Sequence, residues 1–244
     1  MTTTYLMSFL EGYIFEDIKN PVMRNGKPVG LLFDGGHGLR QFTKGKCSPE
    51  GLVYEGEWNR EMVARLIPDA RAIGFDARVL VPEDEDINIG TRAARANKIK
   101  SEEPDKLWYY ISIHLNAANE KDCDKYGWCK PATGIVAYTC QTPKYKTAKD
   151  MEEGRALAKT FVTLGRGDFE LAGNRSLPKV GYWQADFTVL YKSKMPAILT
   201  ENLFMTNRDE VAFLTSEKGK ETIASLHIAA LCKHFGIPYA HIKA

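Results

Sequence analysis

Leu31-Leu32-Phe33-Asp34-Gly35-Gly36-His37-Gly38 is the segment from which the fold can be worked out. The apolar run that ends at Phe33 predicts a buried strand, and an acid, two glycines and a histidine follow it at once. Open α/β sheets bind their ligands at the carboxyl ends of their strands, so we expect His37 to lie at such an edge. Alone, a Gly-Gly-His segment is more typical of an ordinary turn.

Two later apolar runs also lead directly into a chemically reactive residue. The β-branched and aromatic run 107–113 is followed by His114, and the run 197–200 is followed by Glu201. We therefore expect three strands to place His37, His114 and Glu201 at one edge of a sheet.

Helical periodicity separates the predicted strands, which favours an α/β fold. Helices are predicted at 54–74, 89–99, 149–164, 207–214 and 217–235, and further strands at 75–81, 134–139 and 187–190. Asn207 with Glu210 is predicted to form a capping box. We expect one three-layer α/β/α domain at 29–240 with a central, mostly parallel, twisted sheet. Residues 1–28 are predicted to be an N-terminal extension with one short strand or hairpin.

Composition excludes several classes of protein. The 244 residues are 44% hydrophobic and 26% charged, which is ordinary for a globular chain. The 33 Lys+Arg nearly balance the 31 Asp+Glu, and no basic run indicates a nucleic-acid partner. No apolar stretch approaches the roughly 18 residues of a membrane span, and we expect no membrane insertion and no standard signal peptide.

The five cysteines fit no zinc-ribbon spacing. Cys123 and Cys129 flank a short loop and could form a local disulfide, but the odd count and the missing export signal favour free thiols.

Three of the residues above, with an acid nearby, form a plausible catalytic set. Glu55 and Glu57 fall in the first turn of the helix that starts at about Tyr54, where acids often do no more than complement the helix dipole. Two imidazoles and a carboxylate suit a catalytic zinc, and a second carboxylate could move the proton of a water molecule. That combination is the chemistry of amide hydrolysis.

Two other histidines are less informative. His227 and His234 lie beside the apolar face of the last predicted helix, and we interpret them as helix-flank or partly buried residues without a metal role.

The same residues stand within motifs that resemble a known family, the zinc-dependent N-acetylmuramoyl-L-alanine amidases of the amidase-3 type. The resemblance covers about 29–234. It rests on Asp34-Gly35-Gly36-His37-Gly38, Glu55 with Asn59, Arg92 with Ala96-Asn97, Ser112-Ile113-His114-Leu115-Asn116-Ala117, Asn174-Arg175, Met195-Pro196-Ala197-Ile198-Leu199 and Thr200-Glu201-Asn202-Leu203-Phe204-Met205-Thr206-Asn207-Arg208-Asp209.

The resemblance implies one Zn²⁺ per chain, held by His37, Glu55 and His114. Glu57 stays open as an alternative ligand, because the family places its glutamate two residues after a glycine and Gly51 is farther from Glu55 than that.

The resemblance also implies roles for residues around the metal. Glu201 would take a proton from water and pass it to the leaving L-alanine nitrogen of a peptidoglycan stem. Arg175 could contact an acidic group of the stem, and Asp34 and Asn116 could orient ligands or shape loops.

Two other functions remain possible from the sequence. One is a zinc peptidase that cuts stem or crossbridge peptides, although its usual His-Glu-x-x-His pair is absent. The other is a peptidoglycan-binding protein without turnover. The sequence indicates no separate wall-binding domain and no signal peptide, which favours a phage endolysin, made in the cytoplasm and released to the cell wall at lysis, over an exported cell-division amidase. We expect a monomer.

Overall fold

The computed structural model describes residues 3–130 and 132–239. The strands are β1 (Met23–Arg24), β2 (Lys27–Gly35), β3 (Asp76–Val79), β4 (Leu107–Asn116), β5 (Val136–Thr139), β6 (Trp183–Gln184) and β7 (Ala197–Phe204). The helices are α1 (Tyr5–Phe9), α2 (Glu55–Ile73), α3 (Ile89–Glu102), α4 (Ala148–Arg166), α5 (Thr188–Lys192), α6 (Arg208–Thr215) and α7 (Glu217–Phe235).

The strands form one sheet with the order β1-β2-β4-β7-β5-β6, and β3 also pairs with β2. The pairs β2/β3, β2/β4 and β4/β7 are parallel, whereas β5 runs antiparallel to β7. The carboxyl ends of β2, β4 and β7 therefore lie side by side at one edge, where an open α/β sheet binds its ligands.

Helices cover both faces of the sheet. On one face α2, α4 and α7 pack together over side chains such as Phe33 and Ile111. On the other face α3 and α5 pack over side chains such as Leu32 and Tyr110. Two buried layers explain why the central strands read as continuous apolar runs, and the predicted three-layer α/β/α fold is confirmed.

The N-terminal segment folds against this unit. Strand β1 forms an antiparallel hairpin with the start of β2, and Leu6 of helix α1 and Leu10, which follows that helix, are buried, with α1 beside α2. The hairpin agrees with the sequence, whereas α1 was not expected. The division into an extension at 1–28 and a domain at 29–240 stays a prediction.

One predicted strand is wrong. Phe187 to Leu190 reads as a short strand, but Thr188–Lys192 forms helix α5. Val189 and Leu190 are buried against the sheet, and the Asn97 side chain of α3 donates to the carbonyl of Lys192 at 2.9 Å. Packing against α3 thus overrides the β propensity of this run.

The cap of α6 is confirmed only in part. The Asn207 side chain accepts hydrogen bonds from the amides of Asp209 and Glu210, each at 3.1 Å. Glu210 does not reach back as a capping box requires, since its carboxylate accepts from the amides of Gly134 and Phe204. It therefore joins the end of β7 to the segment before β5.

None of the described helices combines the length and apolarity that crossing a bilayer requires.

Candidate active site

Three predicted residues come together at the carboxyl edge of the sheet. His37 follows β2, Glu55 is the first residue of α2, and His114 lies in β4. One nitrogen or oxygen of each lies within 4.8 Å of the others, and within the described residues no other group of three or more His, Cys, Asp or Glu side chains is arranged to hold a metal ion.

The carboxylate of Glu55 lies between the two imidazoles. Its Oε1 is 3.0 Å from His114 Nδ1 and its Oε2 is 3.4 Å from His37 Nε2. Oε1 also accepts the backbone amide of Leu115 at 3.1 Å. Burial alone would raise the pKa of Glu55, but the hydrogen bond and charge of His114 and the charge of His37 keep that pKa below its usual value.

Glu57, the alternative from the sequence, lies away from this cluster. Its two carboxylate oxygens accept from the Arg40 guanidinium at 2.6 Å, and Arg40 in turn stacks on Tyr54. The geometry therefore brings Glu55, and not Glu57, beside His37 and His114.

Two glycines allow these segments to approach one another. A Cβ added at Gly36 would meet the His114 ring at 2.1 Å, and one added at Gly56 would meet the Gly38 carbonyl oxygen at 1.8 Å. The loop that carries His37 can therefore pass close to both β4 and α2 only without side chains at these positions.

His37 itself has a left-handed backbone, with φ of 63°. This conformation is unfavourable for a residue with a Cβ and persists where surrounding contacts hold it. The His37 carbonyl accepts from Arg60 at 2.7 Å and from Arg92 at 3.1 Å, and both arginines are buried. The two guanidinium groups thus fix the loop that presents the imidazole.

Glu201 is placed opposite His114 in the sheet. The two residues are in register across β4 and β7, so their side chains lie on the same face of the sheet. Both are within their strands rather than beyond the ends, which corrects the sequence expectation, because the ladder continues to Asn116 and Phe204.

The carboxylate of Glu201 is available for chemistry. Its Oε2 is inaccessible to solvent and has no hydrogen-bond partner in the described structure. Burial raises the pKa of Glu201 to about 7, since the nearby charges of His114 and Glu55 act in opposite directions. The group can therefore accept or release a proton near neutral pH.

A cavity of about 560 Å³ opens in front of these groups. His37, His114 and Glu201 line it, and Leu199 and Phe187 form part of its apolar wall.

Asp34 lines the cavity, but its carboxylate is engaged elsewhere. It pairs with Arg92 at 2.6 Å and accepts from the hydroxyl groups of Tyr110 and Ser112. Since Arg92 also holds the His37 carbonyl, Asp34 supports the loop of His37 through this arginine.

Asn116 is not seen in contact with the cluster. Its Oδ1 accepts the amide of Ala117 and its carbonyl accepts the amide of Met205, at the irregular end of the β4/β7 ladder. It shapes this end of the sheet.

Arg175 lies on the other side of Glu201. Its guanidinium stacks over the Trp183 ring at 5.3 Å and donates to the Tyr138 hydroxyl at 3.4 Å. Its charge favours the ionised form of Glu201 and so acts to lower the pKa of that group.

Other residues support the cluster in ways that the sequence did not reveal. Asn202 donates to the His114 carbonyl at 3.0 Å, and Asn59 donates to the Gly36 carbonyl at 3.1 Å. Both residues are part of the family motifs given above, but the sequence indicated no role for either of them. Arg60 is in none of these motifs, and the sequence of an amphipathic helix does not indicate that a single arginine in it is buried.

The two other histidines that the structure describes, His227 and His234, are structural. His227 is buried, where its Nδ1–H donates to the Ile223 carbonyl and its Nε2 accepts from Thr200. Burial lowers its pKa to about 4, so it is neutral and more deeply buried than expected. His234 lies 3.0 Å from Glu153, and neither histidine belongs to the metal cluster.

Cys123 and Cys129 form a disulfide, so the preference for free thiols was wrong. A six-residue separation lets a turn bring the two cysteines together, and the Asp124 side chain accepts the amides of Tyr126 and Trp128 in this turn.

Known proteins share this fold and sequence pattern. The endolysin of Bacillus phage SPP1 is 27% identical over 209 residues, which cover 83% of this chain and 65% of that protein. The chain thus spans just under two thirds of the length of this relative.

Solved structures of amidases have the same fold. The N-acetylmuramoyl-L-alanine amidase of Clostridium difficile 630 matches with a TM-score of 0.65 and 24% identity, over 85% of this chain and 97% of that chain. The amidase AmiC2 of Nostoc punctiforme matches with a TM-score of 0.64 and 22% identity, over 85% and 97% respectively.

The sequence profile of one family matches residues 31–233, which include all the residues of the cluster and Glu201. The resemblance seen in the sequence motifs is thereby confirmed, and the chain belongs to the Amidase_3 family, described as N-acetylmuramoyl-L-alanine amidase.

Proposed function

We propose that this protein is a zinc-dependent peptidoglycan amidase that hydrolyses the amide between N-acetylmuramic acid and the L-alanine of the stem peptide. One observation carries the proposal. Glu201, one carboxylate oxygen of which is buried without a hydrogen-bond partner, lines the same cavity as His37 and His114 of the metal cluster.

The cluster fits a zinc ion in its chemistry. Two imidazoles and one carboxylate are a donor set of catalytic zinc sites, which keep a further position for water or substrate. Glu55 is buried, and among the described residues its oxygens contact the two imidazoles and the backbone amide of Leu115, without an ion pair to a lysine or arginine there. When bound, zinc supplies Lewis acidity that polarises a carbonyl and acidifies water.

Glu201 performs the proton transfers. In its ionised form it accepts a proton from the attacking water, and in its protonated form it delivers that proton to the departing nitrogen. A pKa near 7 in the unliganded protein suits both steps, because neither form is strongly favoured at neutral pH.

The surrounding groups hold this chemistry in place. Arg60 and Arg92 fix the loop of His37, and Asn202 fixes the backbone of His114 through its carbonyl. Arg175 provides a cation beside Glu201, where it can contact an acidic group of the substrate.

Digestion of purified cell-wall sacculi tests the proposal. The expected products carry new L-alanine amino termini and no new reducing sugar ends. New termini within the stem or crossbridge would indicate a zinc peptidase, and binding without release would indicate a non-catalytic wall protein.

We extend the proposal to the biological context because the sequence is similar to that of a phage endolysin. The protein is made in the cytoplasm, acts as a monomer with one zinc ion, and reaches the cell wall at host lysis.

A further inference from the structure

A second surface with aromatic side chains continues from the catalytic cavity. It consists of Tyr138, Trp183, Phe187 and Arg175, and we name it the aromatic shelf. Tyr138 is the central ring, with centroids 5.1 Å from Phe187 and 6.5 Å from Trp183. Arg175 joins the shelf by stacking on Trp183 and donating to the Tyr138 hydroxyl.

Strand register places the shelf on the face of the sheet that carries Glu201. Leu199 pairs with Tyr138, and Tyr138 pairs with Trp183. Directly paired residues project to the same face, and so do residues two apart, such as Leu199 and Glu201. Trp183 is two strands from β7, so the shelf extends about 10 Å sideways from Glu201, away from His114.

The shelf is both accessible and held in shape. Phe187 is 41% exposed and lines the catalytic cavity. The Trp183 indole N–H donates to the Ser176 carbonyl at 3.3 Å, which fixes the ring. Neither Trp183 nor Phe187 belongs to the two buried hydrophobic clusters, so core packing does not account for them.

The chemistry of the shelf suits a carbohydrate. A pyranose ring presents an apolar C–H face that packs on aromatic rings, and hydroxyl groups that can accept from a guanidinium and bond to a phenol. A second groove on the other side of Arg175 is polar, with Asn119, Lys121, Asp122 and Asn174 in its wall, and offers the charged groups that a stem peptide would need.

We propose that the aromatic shelf binds the glycan strand of peptidoglycan, with the sugar next to the cleaved muramyl residue stacked on Phe187 and Trp183. The inference rests on the proposed amidase function and adds where the glycan lies. It predicts that the enzyme recognises more than the muramyl-peptide unit.

Two soluble substrates test this directly, a muramyl-peptide and the same compound extended by N-acetylglucosamine. The wild-type protein should hydrolyse the disaccharide substrate with the higher kcat/KM. Trp183→Ala should lower kcat/KM for the disaccharide by about tenfold, the order expected for one lost ring contact, and leave the muramyl-peptide nearly unchanged. Phe187→Ala should lower kcat/KM more for the disaccharide than for the muramyl-peptide, because Phe187 also lines the catalytic cavity. Trp183→Phe, which keeps an aromatic ring, should retain most of the preference.

The controls separate folding from binding. Phe187 is 41% exposed and precedes α5, so its truncation should preserve the circular dichroism spectrum and melting temperature. Tyr13→Ala removes another exposed aromatic ring, on the segment before β1, and should affect neither substrate.

Equal losses on both substrates in Phe187→Ala and Trp183→Ala would overturn the proposal, and so would a wild-type protein without preference. Calorimetric binding of the two compounds to the Glu201→Gln variant gives the same comparison without turnover. Failure of the wild-type protein to cleave either compound would refute the amidase function, while the binding difference would still decide the role of the shelf.

Discussion

Gly36→Ala is a sharp test of how closely the two histidines must approach. The new Cβ would lie 2.1 Å from His114 Cε1, whereas ordinary contacts begin at 3.4 Å. Either the His114 ring or the loop of His37 must therefore move by more than 1 Å. Metal sites depend on ligand distances kept within about 0.2 Å, so this shift should remove most of the bound zinc.

The assay is zinc content per chain by atomic emission, together with release of L-alanine amino termini from sacculi. We expect well below one zinc per chain and at least a hundredfold loss of activity, as for a group displaced by about 1 Å. Gly90→Ala is the matched control, because a Cβ there meets only the side-chain atoms Asn88 Oδ1 at 3.1 Å and Lys192 Nζ at 4.0 Å. Full zinc content in Gly36→Ala would refute the close approach of His37 and His114.

Three further predictions follow from the same structure. Glu55→Gln should lose zinc and Glu57→Gln should keep it, as measured by metal content, and the reverse result would exchange their roles. In the zinc-free protein, the raised pKa of Glu201 contributes stability below about pH 4.5, and this stability is lost as pH rises through about 7. The melting temperature of Glu201→Gln should therefore rise relative to that of the wild type between pH 5 and pH 8. A difference in melting temperature that stays constant over this range would contradict the raised pKa. The disulfide Cys123–Cys129 closes a loop with a six-residue separation. Its reduction should lower the free energy of unfolding by about 2 kcal/mol without loss of zinc. An unchanged midpoint of denaturant unfolding would show that the bond adds no stability.

The sequence predicted the layers of the fold and the elements that carry the candidate site. Apolar runs led directly to His37, His114 and Glu201, and parallel strands bring such positions to one edge. The sequence could not show that His114 and Glu201 are paired across β4 and β7. The register of two strands depends on both strands and cannot be read from either one alone.

Long-range polar contacts were the other part that sequence could not reveal. Arg60 reads as a polar residue on a helix, yet it is buried and donates to the His37 carbonyl. Phe187 to Leu190 reads as a strand by local propensity, yet packing against α3 makes most of it helical. In both cases a distant element decides the outcome, and local pattern carries no record of it.

The most direct test of the central claim is one comparison between wild type and Glu201→Gln, with zinc content and amide cleavage measured on the same preparations. Glu201 is not one of the three residues of the metal cluster, so both proteins should contain close to one zinc per chain. The wild type should release L-alanine amino termini from sacculi, and the variant should release them at least a hundredfold more slowly, the lower range for loss of a general acid–base group. Cleavage at the wild-type rate by a zinc-loaded Glu201→Gln protein would contradict the account.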